Sequence, residues 1–369
     1  MPRPELVNFL RRRLPGGEAR IHKGKQVTDI EVHDTGVIVH CADGSSHAGS
    51  IVLGADGIHS TVRRVMKTTS VKTDKQQQQQ QQKTEDSNNN NDNNDSNNNK
   101  NNNIKSTYAA LFGAINPNPS SDKPPQPSLP PHVFYEMHGQ DAMLQAMHCK
   151  SIIYFTIYGR LPEGPTPLSP TRFTESEKQA FAARWADYHC APGIKVSDMV
   201  AQADWTQMVH LEEGVIEKWY GERVVLVGDS VHKMTPNLGL GYNMAVQSAV
   251  ALVNRLRKVL EESKAPSAAV LNDKVFAPYQ AARKKNATGS MDLSGMGLRF
   301  ASWDGWLAKV VDRHVMPRIN GDVLLLKLKA AGLILEGITL DFAEEKGFRD
   351  GTKKWKHGRP VKKKVTEKS

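Results

Sequence analysis

Between Arg223 and Asn243 the chain reads Arg-Val-Val-Leu-Val-Gly-Asp-Ser-Val-His-Lys-Met-Thr-Pro-Asn-Leu-Gly-Leu-Gly-Tyr-Asn. The apolar run predicts a buried strand ending at Gly228-Asp229, and Pro236, Gly239 and Gly241 predict a loop that opens onto a helix. A helix N-terminus carries unpaired N–H groups and a partial positive charge, so an anion or an electron-rich ring edge is stabilised there. Asp229, at the carboxyl end of the strand, suits hydrogen bonds from a sugar or ribitol hydroxyl. The glycines let the backbone approach a flat ligand closely. A strand, a turn and a core helix account for Gly-x-Gly alone; the longer spacing Gly-Asp-x-x-His-x-x-x-Pro-x-x-Gly-x-Gly-x-Asn is far more restrictive. Upstream, Gly54-Ala-Asp-Gly-Ile-His-Ser-Thr-Val-Arg63 follows a short apolar strand at Ile51 to Ala55. Asp56-Gly57 alone is a turn signal, but an acid and a glycine turn at a strand end, with Arg63 in the next helix, can also bind a pyrophosphate.

Together these two segments resemble the paired signatures of the FAD-dependent single-component flavoprotein monooxygenases, the aromatic-hydroxylase-like family. In that family the first binds the flavin, and the second, Asp-Gly-x-x-Ser-x-Val-Arg, serves FAD and the nicotinamide cofactor. Arg3-Pro-Glu-Leu6 with Leu10 resembles the family's Arg-x-x-Leu-x-x-x-Leu helix, which makes Arg3 a candidate phosphate contact. Leu211 to Tyr220 and Val231 to Asn237 are similar to the fungal branch that epoxidises or hydroxylates isoprenoid and polyketide intermediates, the indole-diterpene and meroterpenoid epoxidases. Where that branch commonly reads Gly-Gln-Gly-Gly-Asn or Gly-Gln-Gly-Ala-Asn, this chain has Gly239-Leu-Gly-Tyr-Asn243, so Tyr242 replaces a small residue.

The resemblance implies an α/β fold: an incomplete Rossmann-like FAD-binding domain with a β-rich substrate domain, lacking the N-terminal Gly-x-Gly-x-x-Gly βαβ unit with which family members begin. It thus implies an N-terminally truncated chain. FAD and NAD(P)H are the implied cofactors, and O2 and an organic small molecule, a fungal secondary metabolite, the implied reactants. The cofactor-binding residues it implies are Arg3, Asp56, Gly57, Arg63, Gly228, Asp229, Pro236, Gly239, Gly241, Tyr242 and Asn243. No general base stands out; Tyr154 is the catalytic candidate, while Tyr135, Phe155, Tyr158 and Arg160 are equally ordinary sheet residues, and His232 reads as structural, with His59 in the same position. The alternative is a non-catalytic remnant that does not retain FAD.

The elements that must position these groups follow from periodicity. Helical spacing marks Pro4 to Leu14, Glu175 to His189 and Met244 to Leu260, the last with Ala245, Ala249, Leu252 and Leu256 on one face. Strand patterns mark Gln26 to Cys41 as a pair, then Tyr108 to Ile115, Ser151 to Tyr158 and Arg223 to Val227. The expected division is a first FAD-binding part at 1–66, a Gln/Asn insertion at 67–105, a substrate domain at 106–209, a second FAD-binding part at 210–285, a helical region at 286–345 and a basic tail at 346–369. The insertion contains seven consecutive glutamines, Gln76 to Gln82, and asparagine runs that can bury no apolar surface, so it is expected to be disordered. Asn116 to Pro131, dense in Pro and Ser, is expected to be a surface loop.

With 369 residues, 38% apolar and 24% charged, the chain is long enough for a sizeable core and is neither collagen-like nor a membrane bundle. Of the net charge of +10, a surplus of eight lies in Lys346 to Ser369, where ten Lys or Arg face Asp350 and Glu367. The body is therefore near neutral and no nucleic-acid partner is expected; the tail reads as a solvated end, with surface anchoring or nuclear import as the sharper alternatives. Three unpaired-looking cysteines, Cys41, Cys149 and Cys190, indicate neither a disulfide framework nor a metal site. No signal peptide is visible, and Val323 to Leu340 is interrupted by Lys327, Lys329 and Glu336, so no membrane span is expected. The expected location is cytoplasmic, with peripheral membrane association left open.

Overall fold

The computed structural model describes residues 3–68, 104–116, 129–149, 151–167, 172–343 and 355–356. Most of the Gln/Asn insertion, most of the Asn116 to Pro131 stretch and nearly all of the basic tail lie outside these residues.

Mixed helix and sheet form the fold, as expected. The apolar runs of the two signatures become the strands Val52–Gly54 and Val224–Leu226, which pair in parallel, Val224 against Val52 and Leu226 against Gly54. Tyr220–Gly221 adds an antiparallel third strand. Val224, Val225 and Leu226 are all buried, as a strand covered on both faces must be. The helix Leu240–Glu262 and the helix Ala277–Ala301 pack over them around Trp219, Phe276 and Tyr279, each with no exposed surface. Tyr279 donates its hydroxyl proton to the Leu226 carbonyl at 3.1 Å, so even the polar end of this core residue is satisfied.

Val27–Val32, Val37–Cys41 and Ser46–Gly49 form a separate antiparallel meander, its first hairpin where the Gln26 to Cys41 alternation predicted it. Arg223 locks it to the parallel strands. Its Nε donates to the Asp34 carbonyl at 3.0 Å, and its two terminal nitrogens donate to the carbonyls of Ser50 at 3.2 Å and Pro266 at 3.1 Å. An arginine this buried is tolerable because backbone oxygens replace its water.

The larger sheet has seven strands. Trp205–Val215, Lys105–Ile115, Ile152–Arg160, Ala142–Cys149 and Phe134–Gly139 are antiparallel neighbours in that order, His232–Lys233 joins the Trp205–Val215 edge, and Thr166–Pro167 pairs with the start of Lys105–Ile115. One face, with Ala109, Leu111, Phe155 and Ile157, packs on Phe181 and Trp185. The other, with Tyr108, Ala110, Met143 and Tyr158, packs on Leu298 and Ala301 of the Ala277–Ala301 helix. Trp205–Val215 runs across the expected boundary at 209 and leads, through Tyr220–Gly221, to the parallel strand of the second signature, which lies in a separate sheet.

Two helices differ from expectation. The Glu175 helix, opened by a capping box between Thr174 and Glu177, ends at Ala183, and the chain turns so that Trp185 buries edge-on against Phe181. Its remaining residues reach a short strand, His189–Ala191. The second signature's helix starts at Leu240, four residues before the expected start, and its buried residues are Met244, Ser248, Ala251, Leu252 and Val259. That face is rotated from the expected one because Ser248 is drawn inward to a buried histidine, His232.

After Ser302 come short helical segments from Trp306 to Leu335, turning at Asn320, whose φ is 48°. The chain then lies along the Leu240–Glu262 helix. Gln247 donates to the Ile338 carbonyl at 3.2 Å and accepts from the Ile338 N–H at 2.7 Å; Asn254 donates to the Thr339 carbonyl at 2.8 Å and accepts from the Asp341 N–H at 3.1 Å.

Candidate functional site: a glycine-opened helix terminus beside a sheet face

Gly228 ends the second parallel strand with φ 62°, a conformation that opens the Gly228–Ser230 turn and that a side chain rarely adopts. The turn is stitched to the first signature. Ser230 is fully buried; its Oγ accepts from the Val227 N–H at 3.1 Å and lies 2.8 Å from the Gly54 carbonyl and 2.7 Å from the Val227 carbonyl, either of which can take its proton. Arg63, also buried, donates to the Ser230 carbonyl at 2.8 Å and to the Ile58 carbonyl. The guanidinium expected to meet a pyrophosphate is thus spent on joining the two signatures. Asp56 accepts from the Ser60 hydroxyl and from the Val62 N–H at 3.1 Å, and so caps the helical backbone over residues 61–68. Gly57, with φ 82°, makes the turn between them.

Asp229 is partly exposed and accepts from the Lys233 ammonium at 2.5 Å. After Lys233 the chain buries Met234 and Thr235, exposes Pro236, buries Asn237 and exposes Leu238 and Gly239. Gly239, with φ 64°, is the N-cap of the Leu240–Glu262 helix and makes no side-chain cap. The first N–H groups of that helix are therefore left for another acceptor. A side chain added at Gly239 or Gly241 would meet nothing within 4 Å, so the space beside the terminus is open. Tyr242 and Asn243 stand exposed on the first turn. Arg3 begins the helix Arg3–Arg12, and its side chain lies outside the described residues.

His232 is buried; its Nε2 lies 3.1 Å from the Ser248 hydroxyl, and its ring packs 5.7 Å from that of Trp219. Burial, aided by the Arg283 charge, lowers its pKa to about 4. A neutral histidine held this way is structural, as expected. His59 is exposed.

Sequence reasoning missed how the sheet meets this loop. Gln145 is buried; its Nε2 donates to the Asn237 carbonyl at 3.0 Å and to Glu136 at 2.8 Å, and its Oε1 accepts the Tyr158 hydroxyl proton at 2.8 Å. Asn237 in turn donates to the Ser294 carbonyl at 3.2 Å. Glu136 lies 3.0 Å from His138 Nε2, and Asp312 lies 2.8 Å from His138 Nδ1 and accepts from the Trp303 indole at 2.8 Å. Burial alone would lower the His138 pKa, but hydrogen bonds and charges from Asp312 and Glu136 outweigh it and raise the imidazole to about 9. The sequence signal was present: Glu136, His138, Gln145 and Tyr158 are polar groups at alternate positions of otherwise apolar strands.

The register fixes which sheet residues share that face. Tyr154 pairs with Met147 and Ala114, and these pair with Phe134 and Trp205, forming a row two residues beyond the Gln145 row. Phe134 and Trp205 are about half exposed, and Met147 and Tyr154 partly so. Tyr158 and Arg160 share the face, but Tyr158 is buried and Arg160 pairs with Asp304 at 2.5 Å and stacks on Tyr108. Tyr135 and Phe155 point to the opposite face and its core. A cavity of about 20 Å³ beside Val65, Met66 and Val224 touches none of these residues and has room for little more than one water.

An uncapped helix terminus after a glycine loop, set at the carboxyl end of a parallel strand, is the kind of place where open α/β sheets hold nucleotide cofactors. Comparison with known proteins agrees: the family described as "FAD binding domain" matches residues 164–288. Over 364 residues the chain is 33% identical to the FAD-dependent monooxygenase srdH of Neurospora crassa, covering 96% of this chain and 75% of that protein. It is 29% identical to ausM of Penicillium brasilianum, over 89% of this chain and 64% of the relative, and 28% identical to DEP2 of Alternaria brassicicola, over 90% and 59%; both are named FAD-dependent monooxygenases. The chain belongs to the fungal FAD-dependent monooxygenases. It spans less than two thirds of the length of ausM and DEP2. The same fold occurs in Klebsiella pneumoniae HpxO solved with FAD and uric acid (TM-score 0.54, 18% identity, 86% of this chain and 68% of that one) and in a salicylate hydroxylase substrate complex (TM-score 0.55, 17% identity, 86% and 72%).

Proposed function

We propose that this protein is an FAD- and NAD(P)H-dependent monooxygenase that hydroxylates or epoxidises an apolar organic small molecule, a fungal secondary metabolite. The observation that carries the reading is the open, uncapped terminus at Gly239 to Asn243, held by Gln145 beside the Phe134, Met147, Tyr154 and Trp205 row. Bound FAD would supply the redox chemistry, taking reducing equivalents from the nicotinamide and activating O2 for transfer of one oxygen atom.

This chain's residues bind and orient. The N–H groups of the first helical turn would stabilise negative charge on the pyrimidine edge of the ring, with Pro236, Gly239, Gly241, Tyr242 and Asn243 around it. Asp229 would accept from a ribitol or sugar hydroxyl, exchanging part of its Lys233 contact, and Gly57 would let a phosphate approach the backbone. Asp56, Arg63 and Gly228 would serve by shaping the turns, and Arg3 would contact phosphate. The aromatic row would take a flat apolar substrate and keep water from it. Tyr154 is the side chain of that row able to hold a proton. We assign residues 1–66 and 210–285 to the cofactor domain and 106–209 to the substrate domain. The alternative, a chain that does not retain FAD, has no support among the relatives.

The test is the visible spectrum of the purified full chain, alone and with added FAD. Flavin bands that stay with the protein through gel filtration, followed by NAD(P)H oxidation and O2 uptake stimulated by an apolar candidate substrate, are expected. A protein that stays colourless with FAD added would end the proposal.

A further inference from the structure

The helix Ala277–Ala301 buries a polar stripe. Arg283, Asn286, Ser290 and Ser294 recur at helical spacing and expose 3, 4, 1 and 0% of their surface. Arg283 is the costly member. An arginine keeps its charge in a protein interior, where a cation is normally paired with an acid or ringed by carbonyl oxygens. Arg223 has three such carbonyls and Arg63 has two. Arg283 has neither kind of partner. Among the described residues no carboxylate lies within 4.0 Å of it; one terminal nitrogen rests 3.5 Å from the Met244 thioether, and its Nε meets no acceptor. Glu336, whose charge reaches it, is bound instead by Asn286 at 3.1 Å and by Lys356 at 2.6 Å. Ser294 Oγ and Asn286 Oδ1 also lack partners, as do Thr235 Oγ1 and Asn237 Oδ1 on the glycine loop. Orphaned buried polar atoms are rare, and a group of them needs a reason.

Position supplies the reason. Met244, which Arg283 touches, is the fifth residue of the Leu240–Glu262 helix, just over one turn from its uncapped N-terminus, and Ser290 Oγ meets the same sulfur at 3.2 Å. The field of Arg283 extends to the turn before that helix: burial first, and then the Arg283 charge, keep His232 neutral. Asp229, the acid of that turn, is occupied by Lys233. A full charge without a counter-ion therefore lies behind a helix terminus that already presents a partial positive charge. Such a charge favours whichever state of a bound group is the more negative, and acts through a poorly screening interior.

We propose that Arg283 is a positioning residue, held without a counter-charge so that its field biases the Gly239 to Asn243 terminus toward the reduced, negatively charged form of the flavin. The proposal rests on the cofactor reading. Full-chain protein, as wild type, Arg283→Met and Arg283→Lys, would be loaded with FAD and its reduction potential measured against a reference dye, with melting temperatures recorded without added FAD. Methionine keeps most of the side chain's reach and removes the charge; lysine keeps the charge. Arg283→Met is expected to lower the preference for reduced over oxidised FAD about tenfold, a fall of about 30 mV for a two-electron couple. Arg283→Lys should stay within about threefold of wild type. An unpaired buried charge opposes folding, so Arg283→Met should melt no lower than wild type. An equal shift in both variants overturns the proposal by assigning the effect to shape. A marked loss of melting temperature in Arg283→Met also overturns it, by making the arginine a structural tie. A wild type that takes up no FAD ends the cofactor reading itself, whereas a wild type that binds FAD beside an Arg283→Met protein of unchanged potential ends this proposal alone.

Discussion

Gln145 is one side chain at which three parts of the molecule meet: the sheet through Tyr158, the charged pair through Glu136, and the glycine loop through the Asn237 carbonyl. Both amide protons and the amide oxygen are used, so no isosteric substitution preserves the set. Gln145→Leu leaves a buried carbonyl and hydroxyl without partners and should destabilise the protein by about 1–3 kcal/mol. Gln145→Glu cannot donate to Asn237 and sets a second carboxylate against Glu136. Tyr158→Phe removes only the bond that orients the amide. In the flavin-loaded protein we expect the glutamine variants to shift the flavin absorption bands and to raise NAD(P)H consumption that yields no product, with Tyr158→Phe intermediate; unchanged spectra in all three would show that the loop does not depend on Gln145. The polar positions Glu136, His138, Gln145 and Tyr158 were visible in the sequence, but their meeting with the loop was not. Tyr135, Tyr154, Phe155, Tyr158 and Arg160 could not be told apart from the sequence, because which face meets the loop depends on strand partners far away in the chain.

At the scale of elements, the two signature strands were legible because each is a short apolar run ended by a glycine turn, and both formed where expected. Helix limits were less so. Leu240 to Asn243 contain a glycine and an asparagine, poor helix formers, yet they are helical because the left-handed Gly239 launches the turn before them. The inward face followed a buried polar pair, His232 with Ser248, that hydrophobic periodicity cannot see. What holds the two strands' ends in place is polar as well. Ser230→Ala removes a hydroxyl that joins both signatures and should cost about 1–2 kcal/mol, read as a lower urea midpoint with unchanged slope. Lys233→Ala, which breaks the partly exposed pair to Asp229, should cost under about 1 kcal/mol. Equal losses in the two would show that Ser230 is not a tie.

Across the whole molecule, two histidines give stability opposite dependences on pH. His138, raised to about 9, binds its proton more tightly in the folded state than near 6.5 when unfolded. Its contribution is full below about 6.5 and is lost as pH rises through about 9. His232, lowered to about 4, is neutral in the fold and charged at mildly acid pH when unfolded, so stability falls as pH drops from about 6.5 to about 4. Melting temperature should therefore be greatest near neutrality. The destabilisation caused by His138→Gln should shrink toward pH 9, and a His232→Gln variant should show a flatter acid limb; parallel curves for wild type and both variants would refute this assignment. The family and its mixed fold were readable from two signatures because turn chemistry is local. The union of sheet, loop and helices was not, because His138 meets Asp312, itself held by Trp303, across more than 160 residues of sequence.

The backbone that Gln247 and Asn254 grip is recognised only by its N–H and C=O groups, so its side chains are free to vary without loosening the grip. With Asp312 moored to His138 on one side and Ile338 to Gln247 on the other, the leucine-bearing span between them is fastened at both ends. It is a handle and not a tether. A pull on it reaches the sheet through one mooring and the long helix through the other, the same two bodies that flank the glycine loop.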